Sequence, residues 1–150
     1  MWLNKARAWC ARWASDTERD VFEGWHDGYL RLRDPVLHRR RIVLDKAARR
    51  LTIEDALEMT GAHDVALHFH CSEHCRPQMV RGGYALRCAE RTVFLALPTA
   101  RDATHGVACG SVAPILGWVS RHYDSKVAAP TVMWRCRLAG ATVLRSEIRC

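Results

Sequence analysis

Arg41-Ile42-Val43-Leu44-Asp45, then Lys46-Ala47-Ala48, then Arg49-Arg50-Leu51-Thr52-Ile53-Glu54-Asp55-Ala56-Leu57 is the stretch that decides the fold. Ile42, Val43 and Leu44 make a β-rich run, Lys46-Ala47-Ala48 makes a short turn, and the chain returns with Leu51, Ile53 and Asp55 on one face. That is a hairpin. Downstream the same period continues. After a turn at Thr60-Gly61, residues 63–71 alternate, with Val65, Leu67 and Phe69 on one side and Ala66, His68 and His70 on the other. Arg81-Gly82-Gly83 signals another turn. Residues 84–88 and 91–97 read as a hairpin, and residues 107–110, 115–120, 131–137 and 141–148 as further short strands. Turn residues recur at the spacing of an all-β sandwich or barrel. The expected body is all-β, an antiparallel two-sheet β-sandwich.

Upstream the pattern differs. Trp2, Ala6, Trp9, Cys10 and Trp13 fall at helical spacing, which predicts a short basic amphipathic N-terminal helix within residues 2–15. The sequence therefore divides into an extension over residues 1–20 and a β domain over 21–150. The first residues lack an apolar core and a small-residue cleavage site, so they do not read as a signal peptide. Either the chain is cytoplasmic or its natural gene product begins elsewhere, and localisation stays open.

The chain has 150 residues, 49% hydrophobic and 26% charged, which excludes a disordered or collagen-like polymer. No apolar run approaches the ~20 residues of a membrane span, so no membrane partner is expected. Net charge is +7, and Arg31, Arg33, His38, Arg39, Arg40, Arg41, Lys46, Arg49 and Arg50 crowd one stretch. Such a surface attracts polyanions. It reads equally as a solvated face paired with Asp34, Asp45, Glu54 and Asp55. Zinc-finger spacing and an aromatic RNA-binding signature are both missing, which argues against nucleic acid.

Seven cysteines is an odd count. Their irregular spacing shows no disulfide framework, which favours a reducing compartment, and most read as small buried hydrophobes. In His70-Cys71-Ser72-Glu73-His74-Cys75, the two thiols with a histidine form one local candidate for zinc, although the spacing is not that of a known finger. Trp118, between Ile115, Leu116 and Val119, and Trp134 read as core residues. The alternative for Trp118 with Tyr123 is a sugar-stacking platform, and Trp25 is the better candidate for an exposed aromatic.

Four stretches, in order, carry a resemblance. They are His26-Asp27-Gly28-Tyr29-Leu30-Arg31-Leu32, Pro35-Val36-Leu37-His38-Arg39-Arg40, Leu67-His68-Phe69-His70, and Gly117-Trp118-Val119-Ser120-Arg121-His122-Tyr123 followed by Pro130. Together they resemble the C-terminal β-sandwich domain of the heparinase II/III-like polysaccharide lyases, a family that includes alginate lyases. The resemblance covers about residues 20–148. It implies cleavage of uronate-containing anionic polysaccharide by β-elimination: a carboxylate is neutralised, a base removes the C5 proton, and an acid protonates the leaving O4. It further implies that most of those groups sit on an α/α-toroid catalytic domain outside this sequence, and that this chain alone has little or no activity.

The resemblance also implies a structural zinc ion held by His38, Asp55 and His70, donors that suit the metal. Unbroken parity turns His70 away from Val65, Leu67 and Phe69, whereas His38 shares a face with Ile42 and Leu44, so a bulge is needed to unite them. His26 and Tyr29 are the cleft-edge candidates, and Arg31, Arg39 and Trp25 the substrate-binding ones, an Arg fork being suited to a carboxylate. The plainer alternative is a structural strand with Tyr29 packed and the arginines solvated. A second functional reading is a stand-alone anionic-glycan-binding module using Arg39, Arg40, Arg41, Trp25 and Tyr29. A third is a non-functional remnant.

Overall fold

Alternation of apolar and polar residues, with turn residues every ten or so, builds a chain of antiparallel strands. The structure, a computed structural model, describes residues 5–150. In order the strands are β1 (Ala8–Ser15), β2 (Arg19–His26), β3 (Leu37–Asp45), β4 (Arg50–Glu58), β5 (Ala62–His70), β6 (Cys75–Val80), β7 (Gly83–Cys88) and β8 (Arg91–Ala96). They continue as β9 (Thr104–Ala108), β10 (Ser111–Val112), β11 (Ile115–Leu116), β12 (Trp118–Val119), β13 (Val127–Ala128), β14 (Thr131–Ala139) and β15 (Thr142–Arg149). The described residues contain no helix. The chain separates into two units, Met1–His63 with Arg137–Arg149, and Asp64–Cys136 with Cys150.

The first unit carries antiparallel strands in the order β1-β2-β3-β4-β15. The hairpin read from residues 41–57 is β3–β4, with Asp45 opposite Arg50. Its turn is closed by the Ala48 amide donating to Asp45 Oδ1 at 2.8 Å, and Arg49 takes a φ of 49°. The β1–β2 turn is an Asx turn: Asp16 Oδ1 accepts from the amides of Glu18 and Arg19, both at 2.8 Å. Register fixes two faces. Leu57, Leu144, Asp55 and Ser146 share one and are buried, whereas Glu54, Glu58, Val143 and Arg145 lie on the other.

β1 replaces the helix expected over residues 2–15, whose first residues, 2–4, lie outside the described residues. The tryptophan spacing fits either period, and cross-strand contact decides between them. Trp9 stacks on Trp25 at 3.9 Å between centroids, and Trp13 meets Phe22 edge-on at 6.4 Å. A bulge between Cys10 and Arg12 breaks the alternation, which hides the strand in the sequence.

In the second unit β6, β7 and β8 form a meander. Gly83 follows its first turn, where a Cβ would lie within 1.9 Å of the Leu95 carbonyl oxygen, so no side chain fits. A three-stranded sheet runs β5-β14-β9. Tyr84, Leu95, Thr131, Val132 and Trp134 are the most deeply buried of the described side chains here. The Trp134 indole donates to the Pro98 carbonyl at 2.9 Å, and the Tyr84 hydroxyl meets His105 Nδ1 at 2.9 Å. Trp134 is thus core as expected. Trp118 is only half-buried, its indole donating to Ser111 O, and Tyr123 is fully exposed.

Cysteine use departs from the sequence reading. Cys75 and Cys88 face each other across β6–β7 and form a disulfide, a pairing that only strand register specifies. Cys136 is buried, but Cys10, Cys109 and Cys150 are exposed. The disulfide also removes Cys75 as a thiolate ligand, so the local zinc site of residues 70–75 is not formed.

Candidate functional site

The end of β2, the start of β3 and the end of β4 place four polar side chains in line. Register sets His26 opposite His38, and Arg40 opposite Asp55. His38 Nε2 lies 2.5 Å from Asp55 Oδ1, and its Nδ1 lies 3.0 Å from His26 Nε2. Arg40 grips the same carboxylate through Nε at 2.7 Å and a terminal nitrogen at 3.1 Å. Asp55 is 2% exposed, so an uncompensated charge there would be costly. Burial pushes its pKa up, but hydrogen bonds from His38 and Arg40 and the guanidinium charge outweigh this and hold it below the ordinary value.

The protons in this line have one consistent arrangement. The Gly28 amide donates to His26 Nδ1 at 3.1 Å, so that nitrogen is an acceptor. A neutral His26 then carries its proton on Nε2 and donates to His38 Nδ1. His38 in turn carries its proton on Nε2 and donates to Asp55. Every donor points toward the buried carboxylate. Burial first, then the neighbouring His38 and Arg40, lowers the pKa of His26. In this geometry His26 has no lone pair to offer a substrate proton. The line orients a ring and does not by itself make a general base.

Tyr29 meets His26 edge-on at 5.0 Å. It sits in the turn after β2 and is 46% exposed, which corrects the packed-strand alternative. The turn is braced twice. Leu30 N donates to Asp27 O, and Asp34 Oδ2 accepts from Gly61 N and His63 Nε2, each at 2.7 Å. His26, Tyr29 and Arg31 line one hollow of about 550 Å³, together with Lys5, Asp27 and Gly28. Lys5 and Arg31 give it cationic groups suited to a carboxylate or sulfate. The sequence reading missed Lys5, which is distant along the chain, and missed Arg40 as the partner of Asp55.

The other substrate-binding candidates lie elsewhere. Trp25 and Arg39 are opposite one another on β2 and β3, one residue out of phase with His26 and His38, and so on the other sheet face. The basic run is largely answered by carboxylates: Arg39 by Glu58 at 3.1 Å, Arg40 by Asp55, and Arg41 by Glu23 and Glu54 at 3.1 and 3.2 Å. The plain ion-pair reading of that stretch accounts for Arg40 and Arg41, and Arg50 pairs Asp45.

Of the three expected zinc ligands, His38 and Asp55 touch. His70 belongs to the second unit, where its Nδ1 meets Thr131 Oγ1 at 3.0 Å. The parity expected for β5 holds: Val65, Leu67 and Phe69 are half-buried, and Ala66, His68 and His70 exposed. Among the described residues no group of three or more His, Cys, Asp and Glu side chains is gathered as a metal site.

A family model described as "Heparinase II/III-like, C-terminal" matches residues 1–147. No curated protein matches the chain. Among solved structures, a mutant of the heparan sulfate lyase HepC from Pedobacter heparinus matches with a TM-score of 0.78 at 14% identity, over 95% of this chain and 21% of that one. HepC itself gives 0.75 at 14% identity with the same coverage. The heparinase III BT4657 gene product gives 0.72 at 12% identity, over 94% of this chain and 20% of that one. The chain spans about a fifth of the length of these solved relatives.

Proposed function

The chain belongs to the heparinase II/III-like C-terminal family, and on that premise we propose that it serves a polysaccharide lyase as its strand-built companion domain. The whole enzyme would cleave uronate-containing anionic polysaccharide by β-elimination, with an α/α-toroid domain supplying most of the reacting groups. This chain would form one wall of the groove. The observation that carries the reading is the convergence of His26, Tyr29 and Arg31, with Lys5, on one cationic hollow. Lys5 and Arg31 would meet the acid groups of the sugar. His26, held by Gly28, His38 and Asp55, would present a fixed ring edge. The two-sheet sandwich packing belongs to this proposal as well.

Elimination needs a base, an acid and a group that quenches the uronate carboxylate. His26 is committed on both nitrogens and offers no ready base, and we expect the chain to be inactive alone. The test is incubation of the purified chain with heparan sulfate and with alginate. No unsaturated uronate absorbance should develop, while retention on immobilised heparin should weaken with salt and with Arg31→Ala. Product formation would overturn the inactivity, and salt-insensitive retention would overturn the hollow. The stand-alone glycan-binding reading is weaker than it was from sequence. Arg39, Arg40 and Arg41 already have carboxylate partners, and Trp25 and Tyr29 line different hollows.

Zinc is a separate proposal, in which His38 and Asp55 of the first unit would be two of the ligands. Its support is donor chemistry: imidazole and carboxylate suit the ion, and His38 and Asp55 are adjacent. Against it stands the bidentate hold of Arg40 on Asp55, which a bound cation would have to share. Metal content of the purified chain, compared with His38→Ala, decides it. One equivalent lost in the variant supports the site, and no metal in the parent removes it.

A further inference from the structure

The first unit carries a second hollow, on the sheet face opposite His26. Register lines up Trp9, Trp25, Arg39, Ala56 and Val143 across β1, β2, β3, β4 and β15. The hollow has a volume of about 330 Å³ and is lined by Trp25, Ala11, Ala56 and Val143, with Arg39, Arg41, Glu23 and Glu54 around them. Its floor is small and apolar, and Val143 is 65% exposed. Trp25 gives one ring face to Trp9, at 3.9 Å and an interplanar angle of 15°. That contact braces the indole, which also lines the hollow.

Charge separates this place from the hollow at His26. Arg39 is engaged by Glu58, and Arg41 by Glu23 and Glu54, so guanidiniums and carboxylates alternate here as compensated pairs. A carboxylate or sulfate would meet glutamates as well as arginines and gain little. A hydroxyl or acetamide group can donate to the first and accept from the second. A braced indole beside small apolar residues, with such groups around it, suits the C–H surface of a pyranose. We propose that this hollow is a stacking subsite for an uncharged sugar ring, of the N-acetylhexosamine or plain hexose kind. It rests on the reading of the chain as a glycan-handling domain, but not on the cationic hollow.

The experiment uses chitotriose as a neutral probe and heparin as a charged one, with the full chain and its tryptophan fluorescence as the readout. Chitotriose is expected to bind saturably and equally at low and high salt. Trp25→Ala should weaken it about tenfold, the equivalent of one lost stacked ring. Because Trp25 also supports Trp9, Val143→Arg is the second variant: it fills the floor from an exposed position and should abolish chitotriose binding without changing the urea midpoint. Arg31→Ala should leave chitotriose binding alone while reducing heparin retention. Failure of heparin to bind, with chitotriose still binding, would remove the cationic hollow and spare this site. Absence of saturable chitotriose binding, its loss in salt, or its loss in Arg31→Ala overturns the proposal. Self-association of the chain that Val143→Arg disperses would identify the face as an interface between copies and overturn it too.

Discussion

Asp55→Ala gives the sharpest test of the His26–His38–Asp55–Arg40 line. The substitution removes contacts at 2.5 Å to His38 and at 2.7 and 3.1 Å to Arg40. Hydrogen bonds to a charged group contribute roughly 1.5–3 kcal/mol each, a gross sum of about 4.5–9 kcal/mol. Much of that is recovered. The Arg40 side chain is 44% exposed and can be solvated by water, whereas the His38 side chain is 16% exposed and is left stranded. The net loss is therefore expected at about 3–5 kcal/mol, the range for breaking a buried pair. With an m-value of about 2 kcal/mol/M, the urea midpoint falls by about 1.5–2.5 M. Run with a chelator present, the unfolding curve reads the hydrogen bonds alone. pH supplies a second axis. The folded pKa of Asp55 is depressed, so its contribution is fully present above the unfolded value of about 3.9 and is lost as pH falls through the folded value. The gap between parent and Asp55→Ala should hold near neutrality and narrow below about pH 4. A loss under about 1 kcal/mol, or a gap that widens in acid, refutes the account.

Glu73 is held by both ends of the Arg121 guanidinium, at 2.7 and 3.2 Å, which lowers its pKa to about 2. A carbon-detected NMR titration should find that midpoint, and Arg121→Ala should return it toward about 4.3. Its stabilising contribution is complete above that ordinary value and fades as pH drops toward 2. Tyr84→Phe should cost only about 0.5–1.5 kcal/mol by urea titration, because exposed His105 exchanges the lost hydroxyl for water. A loss above about 3 kcal/mol would mean the hydroxyl does more than this. Reducing the Cys75–Cys88 bridge, which spans a sequence separation of 13, should lower stability by about 3 kcal/mol on chain-entropy grounds. Identical curves with and without reductant would show that the bridge does not form.

The sequence by itself determined that the body is strand-built. Period two is written in residues 41–57, 63–71 and 131–148, because burying one face of a pleated strand demands it. It also singled out His26, Tyr29, Arg31 and His38, since their stretches resembled a family that a model then matched. Period could not separate a strand from a helix at β1, where a bulge disturbs the alternation and the deciding contacts, Trp9 on Trp25 and Trp13 on Phe22, come from another strand. Only tertiary structure paired Cys75 with Cys88, set Arg40 across from Asp55, and brought Lys5 to the same hollow as Arg31. It alone sent Trp25 and Arg39 to one sheet face and His26 and His38 to the other. A run such as HRR states charge and size. Which carboxylate each arginine meets, and which hollow each ring lines, follows from register, and register is a property of strand pairs rather than of any one strand.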